Sequence, residues 1–194
     1  MHILRASDYK QMPWKNGGGV TTEIAIAPAD AGVGDFNWRI SMAKVGADGA
    51  FSSFEEVDRI LTILDGKGMD LDVAGMTPAR LTAASEPFVF PGDVPTTATL
   101  VAGSITDFNV MTRRGEWTAT VEKLTVQGAL AVAADANANI IFCCEGSFEI
   151  SDHQPALAKH DALFIEAANG IAAIAINGFA DILLIRLSQN SPVS

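Results

Sequence analysis

The chain has 194 residues, 48% of them hydrophobic and 19% charged, with 13 Lys and Arg set against 23 Asp and Glu for a net charge of −10. That apolar content is enough to bury a core and excludes a disordered chain. So acidic a surface repels phosphate backbones and anionic lipid heads, so nucleic acid and membrane surfaces are not expected as partners.

Taken in chain order, the dominant hydrophobic period is two, which marks strands. It predicts strands over Thr21–Ala27, Asn37–Val45, Ile60–Leu64, Met69–Val73, Phe88–Phe90, Ile105–Arg113 and Thr118–Val126. Further strands follow over Ile140–Cys144, Ser147–Ile150, Ala162–Ile165, Ile171–Ile176 and Asp181–Ser188, while Gln127–Ala134 is ambiguous. No stretch shows a sustained helical face, and Gly, Pro, Asp and Asn separate the runs, so the fold class is all-β.

A weak internal repeat divides the chain. Arg59–Gly66, Phe88–Asp93 and Asp107–Met111 find counterparts in Ile140–Gly146, Lys159–Phe164 and Asp181–Ile185. Each copy carries an acid-Gly pair, Asp65-Gly66 or Glu145-Gly146, expected to form a tight turn in which Gly supplies positive φ. Two similar β-units are expected, residues 1–115 and 116–194, forming one unit over 1–194.

Several features bear on location. The longest uncharged run, between Glu166 and Asp181, is 14 residues long, short of the ~20 needed to cross a bilayer as a helix. Arg5, Asp8 and Lys10 interrupt the start of the chain, so no signal peptide is expected. Cys143 and Cys144 are adjacent, which disfavours a disulfide, and they fall in an apolar strand. The expected location is the cytoplasm.

Three segments carry the chemistry. In Trp14-Lys15-Asn16-Gly17-Gly18-Gly19 the glycine run is costly to order, so it serves either a ligand-lining loop, with Lys15 and Asn16, or a plain turn. In Trp38–Ala43, Arg39 and Ser41 share one face of a strand, and an Arg fork grips a carboxylate in two places. In Asp107–Arg114, Asn109 and Arg113 share the face of Asp107 and can join Arg39 and Ser41. Phe51-Ser52-Ser53-Phe54 is expected at the rim, with Asp58 and Arg59 as an adjoining ion pair. No catalytic set stands out by spacing. His2, His153 and His160 form no His-x-His cluster, so neither a metal nor a cofactor is expected.

These segments resemble the HutD/Ves family. The resemblance rests on Trp14–Gly19 with Thr22-Glu23-Ile24, on Phe36–Ala43, Asp48–Phe54, Asp58-Arg59 and Phe90–Asp93, and on Asp107–Met111, all in the family's order. It is looser over Glu145-Gly146 and Asp181–Ile185, and departs at Ala50, where Pro is expected. The resemblance implies a bicupin, two cupin-like β-barrels or sandwiches packed together (RmlC-like), without a conserved metal. It also implies a link to bacterial histidine-utilisation operons or to environmental stress. The histidine-linked branch implies a small carboxylate ligand such as formylglutamate or urocanate, and a role in moderating operon expression. The residues that carry over as ligand-binding are Trp14, Asn16, Arg39, Ser41 and Asn109, with Lys15, Arg59 and Arg113.

Three functions are compatible with these residues. The first is a carboxylate-binding, regulatory protein. The second is a metal-independent isomerase or hydrolase of a small acid, with Asp107 or Glu23 as general base. The third is a structural β domain that binds a partner or a second copy of itself through a strand edge. The absence of a catalytic set weighs against the second.

Overall fold

The computed structural model describes residues 1–150, 155–167 and 170–191, so His153 lies outside the described residues. In chain order the strands begin with β1 (His2–Leu4), β2 (Lys10–Pro13), β3 (Gly19–Ala27), β4 (Trp38–Val45), β5 (Gly49–Ala50), β6 (Val57–Asp65), β7 (Met69–Val73) and β8 (Ala79–Leu81). They continue with β9 (Phe88–Pro91), β10 (Thr96–Leu100), β11 (Ile105–Arg113), β12 (Trp117–Ala133), β13 (Ala138–Ile150), β14 (Leu157–Ala158), β15 (Ala162–Glu166) and β16 (Ala173–Gln189). The chain forms two compact units, Lys10–Trp117 on the one hand and Met1–Tyr9 with the residues from Thr118 onward on the other.

In the Lys10–Trp117 unit, a six-stranded sheet in the order β2-β3-β4-β11-β6-β9 accompanies a four-stranded sheet β5-β10-β7-β8. Strand alternation decides what lies between them. Odd-numbered positions of the larger sheet, Ala43, Val45, Leu61, Ile63 and Ile105, pack with Phe90 against Met69, Leu71, Val73, Leu81 and Ala98. A second cluster of Phe36, Val57 and Met111 lies farther along these strands. The core is therefore a sandwich filling whose larger wall is not apolar along its whole length.

In the other unit, a sheet in the order β1-β15-β13-β16-β12, with β14 added on β13, holds its own core, including Val126, Ile141, Phe148, Leu163, Ile176 and Leu184. The expected first half, residues 1–115, is corrected here. The first nine residues belong with the second unit, because His2, Ile3 and Leu4 pair with Phe164, Leu163 and Ala162 of β15. Arg5 and the Ala6 amide add hydrogen bonds to Asp161 at 2.6 and 2.9 Å.

Three pairs of expected short segments are single long strands, β12, β13 and β16. Gly128 carries a positive φ inside β12, where Thr118–Val126 and the ambiguous Gln127–Ala134 run together. The two acid-Gly pairs also differ. Asp65-Gly66 does end β6, whereas Glu145-Gly146 lies within β13, where the register against β16 shifts between Cys143 and Glu145. A Cβ on Gly146 would stand 2.2 Å from the Phe179 carbonyl oxygen, so this glycine serves a bulge and a close backbone approach rather than a turn.

Candidate functional site

The polar part of the larger wall follows from strand register. Arg39 and Ser41 precede Ala43 and Val45 at two-residue steps on β4, so all four project between the sheets. On β11, Asn109 stands opposite Ser41 and Met111 opposite Arg39. On β6, Leu61 stands opposite Asn109 and Arg59 opposite Met111. On β3, Glu23 stands opposite Ser41, next to a register shift between Glu23 and Ala25. Directly opposed side chains have Cβ atoms about 5 Å apart. Arg39, Ser41, Arg59, Asp107 and Asn109 are all buried, each with 7% or less of its surface exposed.

Buried polar groups are normally saturated with hydrogen bonds, and these are not. Arg39 donates Nε–H to Glu23 Oε2 at 2.7 Å, and its terminal nitrogens have no protein acceptor among the described residues. Arg59 donates only to the Ser52 carbonyl, at 3.4 Å. Its guanidinium is framed by aromatic rings, 4.7 Å from the Phe51 centroid, 5.2 Å from Phe90 and 5.8 Å from Phe54. Arg59 Nε and Asn109 Oδ1 are buried with no partner among the described residues.

Electrostatics set this cluster apart. Burial lowers the Arg59 pKa to about 10, the Asp107 carboxylate opposing and the nearby Arg39 charge adding to the effect. Two guanidinium groups thus repel one another in a poorly solvated place. Asp107 lies between Ala43 on β4 and Ile63 on β6. Burial among such neighbours pushes its carboxyl up to about 7 against the pull of Arg59.

The expected site residues divide cleanly. Arg39, Ser41, Asn109 and Arg59 come together on one inner face. Trp14 packs beside the same core, with its indole N–H donating to Thr21 Oγ1 at 2.8 Å. Lys15 and Asn16 do not join the cluster and are exposed. Of the two readings of the glycine run, the geometry matches the turn, a self-bonded hairpin. The Gly17 amide donates to Trp14 O at 3.0 Å and the Trp14 amide to Gly19 O at 2.9 Å, while Gly18 N–H is capped by Asn16 Oδ1 at 3.0 Å. Gly19 lies so close to β4 that a Cβ would stand 2.5 Å from Lys44 O.

Arg113 also stays out of the cluster. It clamps loops, donating to the carbonyls of Glu55 and Gly34 at 3.1 Å each and of Phe36 at 3.3 Å. The expected Asp58–Arg59 ion pair is corrected as well. Neighbours along a strand face opposite ways, so Asp58 pairs with Arg114 at 2.8 Å while Arg59 turns inward. Two members of the cluster, Asp107 and Glu23, were expected only as possible general bases. Alternation alone puts Asp107 on the face of Asn109, but its place beside Arg59 depends on sheet order, and that of Glu23 beside Arg39 on the pairing of β3 with β4 next to the β3 bulge.

Among the described residues, no group of three or more His, Cys, Asp or Glu is placed to hold a metal ion. No helix among the described residues is long and apolar enough to cross a membrane. Elsewhere, an open hollow lined by Ala134, Asp135, Asn137 and Ile171 has one ionisable wall residue, and Asp135 there lies 3.1 Å from Arg186.

The family model HutD matches residues 6–183. The chain belongs to the HutD family. A 21.2 kDa Pseudomonas putida protein, named for its place in the hutC 3' region, is 32% identical over 181 residues, 92% of this chain and 93% of its own length. Protein Ves of Cronobacter sakazakii is 35% identical over 149 residues, 75% of this chain and 78% of its own. Among solved structures, HutD from Pseudomonas fluorescens SBW25, described in a formate condition, superposes with a TM-score of 0.83 at 33% identity, covering 98% of this chain and 99% of that one. A cupin 2 conserved barrel domain protein from Leptotrichia buccalis, 9% identical, superposes with a TM-score of 0.59 over 92% of this chain and 96% of its own, a likeness of fold. The HutD-family chain is thus an all-β protein with a cupin fold.

Proposed function

We propose that this HutD-family protein binds a small organic carboxylate between the sheets of its Lys10–Trp117 unit and acts as a cytoplasmic regulator linked to histidine utilisation. The observation that carries the reading is the pair of buried, mutually repelling guanidinium groups of Arg39 and Arg59, both with unused N–H donors. An anion between them relieves that repulsion and accepts those donors, with Ser41 and Asn109 supplying further hydrogen bonds. The relative named for the hutC 3' region supports the histidine link, and the family resemblance makes formylglutamate- or urocanate-like acids the first ligands to try. The two cysteines, both free, suit a reducing compartment.

Calorimetry with N-formylglutamate, urocanate, glutarate and formate tests the reading. A charge-assisted hydrogen bond contributes about 1.5–3 kcal/mol, so Arg39→Ala is expected to weaken binding by roughly tenfold or more. Equal affinities for wild type and R39A would remove Arg39 from the site. No binding of any of these acids would overturn the proposal. Asp107, poised near neutrality on the same face, favours one second reading, metal-independent acid–base turnover of the bound acid. NMR of the same acids incubated with concentrated protein would reveal a product.

A further inference from the structure

Asp107 is the charged member of the cluster whose side chain has neither a hydrogen bond nor an ion pair among the described residues, although it is buried and Arg59 is close enough to act on its charge. We infer that Asp107 carries a proton while a carboxylate is bound beside it, so that filling the site takes up a proton from solution. The inference rests on the carboxylate-binding reading above and goes further, making Asp107 the residue that decides the charge of the ligand accepted.

The argument is one of charge in a confined place. Arg59 of β6 is the charge that acts on Asp107, Arg39 of β4 acts in turn on Arg59, and Glu23 of β3 is paired with Arg39. The opposing sheet presents no charged group there among the described residues: Met69, Leu71 and Ala98 are apolar, and the buried Thr96 gives its hydroxyl to Val94 O at 3.1 Å. The carboxylates of β7 point away, Asp70 to Arg80 at 2.7 Å and Asp72 to solvent. Strands β9 and β10 contain no charged residue. With Asp107 ionised, two guanidinium groups and two carboxylates already cancel, and an incoming anion leaves an uncompensated buried negative charge, which is expensive. With Asp107 neutral, the empty cluster carries one excess positive charge and the anion brings it to zero. The neutral carboxyl also gains an O–H donor that the anion can accept.

The test is calorimetry of the full chain with formate and monomethyl glutarate, each a fully ionised monoanion, between about pH 6 and 9 in buffers of different ionisation enthalpy. Proton uptake approaching one per anion is expected above neutrality, with affinity falling toward tenfold per pH unit there. Asp107→Asn is expected to abolish both the uptake and the pH dependence. Asp58→Asn, at a carboxylate on the outer face paired with Arg114, is expected to keep them, whereas Glu23→Gln, which leaves one excess positive charge with Asp107 ionised, is expected to lose the uptake and holds the proposal open to refutation if D107N does not fold. Binding without proton uptake above neutrality, or uptake lost in D58N or kept in D107N or E23Q, overturns the inference and leaves the carboxylate reading standing. No binding at any pH overturns both.

Discussion

Ligand-free stability provides an independent handle on the same carboxyl. An unfolded Asp107 titrates near its ordinary value of 3.8, and the folded one near 7. The folded value is the higher, so folding favours the protonated form. The contribution is complete below about pH 4, is lost as pH rises toward the folded value, and is level above it. That interval corresponds to ~4 kcal/mol, a large share of the 5–15 kcal/mol typical of a domain. Asp107→Asn keeps the shape of the neutral carboxyl and cannot ionise. The perturbation is therefore smallest at low pH and greatest at high pH, where D107N is expected to be more stable than wild type, with Arg59's loss of an anionic neighbour subtracting from the gain. Urea unfolding of both proteins across this range, followed by tryptophan fluorescence, gives the difference in stability. Other titrating groups cancel in that difference. Parallel curves for the two proteins would refute the claim that Asp107 is desolvated in the folded state.

Three other substitutions test the framework around the site. Gly19→Ala puts a methyl group 2.5 Å from Lys44 O and 3.0 Å from the Trp14 ring, and a loss of about 1–3 kcal/mol is expected in denaturant unfolding. Arg113→Ala removes three carbonyl contacts and should cost about 1–2 kcal/mol, yet leave carboxylate affinity unchanged in calorimetry, because this guanidinium serves loops and not the inner face. Asp161→Ala strips β1 of its anchor. Burial works to raise the Asp161 pKa, but hydrogen bonds from the Ala6 and Ala158 amides and from Arg5 outweigh it, and the carboxyl titrates below 3.8. Its contribution, about 2–3 kcal/mol, is present above that value and lost as pH falls through the folded pKa. The variant and wild type should therefore converge in thermal unfolding at strongly acidic pH and differ at neutrality.

Much of the candidate site was legible because side-chain alternation is a property of the strand itself. Reading β4 and β11 with a period of two puts Arg39 with Ser41 and Asp107 with Asn109 without knowledge of any neighbour, and the boundaries of Ile105–Arg113 and Met69–Val73 come out as found. The strands that alternation missed, such as Thr96–Leu100 and Ala79–Leu81, are short and rich in small or polar residues, so their pattern is weak.

What local pattern leaves open is which strands become neighbours. Arg59 joins Arg39 only because β11 lies between β4 and β6, and Met1–Tyr9 leave their sequence neighbours only because β15 offers a free edge to β1. The same holds for charge. Asp107 and Asp58 are the same residue type on paired strands, yet one is closed in by Ala43 and Ile63 while the other meets Arg114 at the surface. Alternation is written into each strand by its own backbone, whereas sheet order, register and the solvation of a carboxyl arise from contacts between residues far apart in the chain, and only the tertiary structure supplies those.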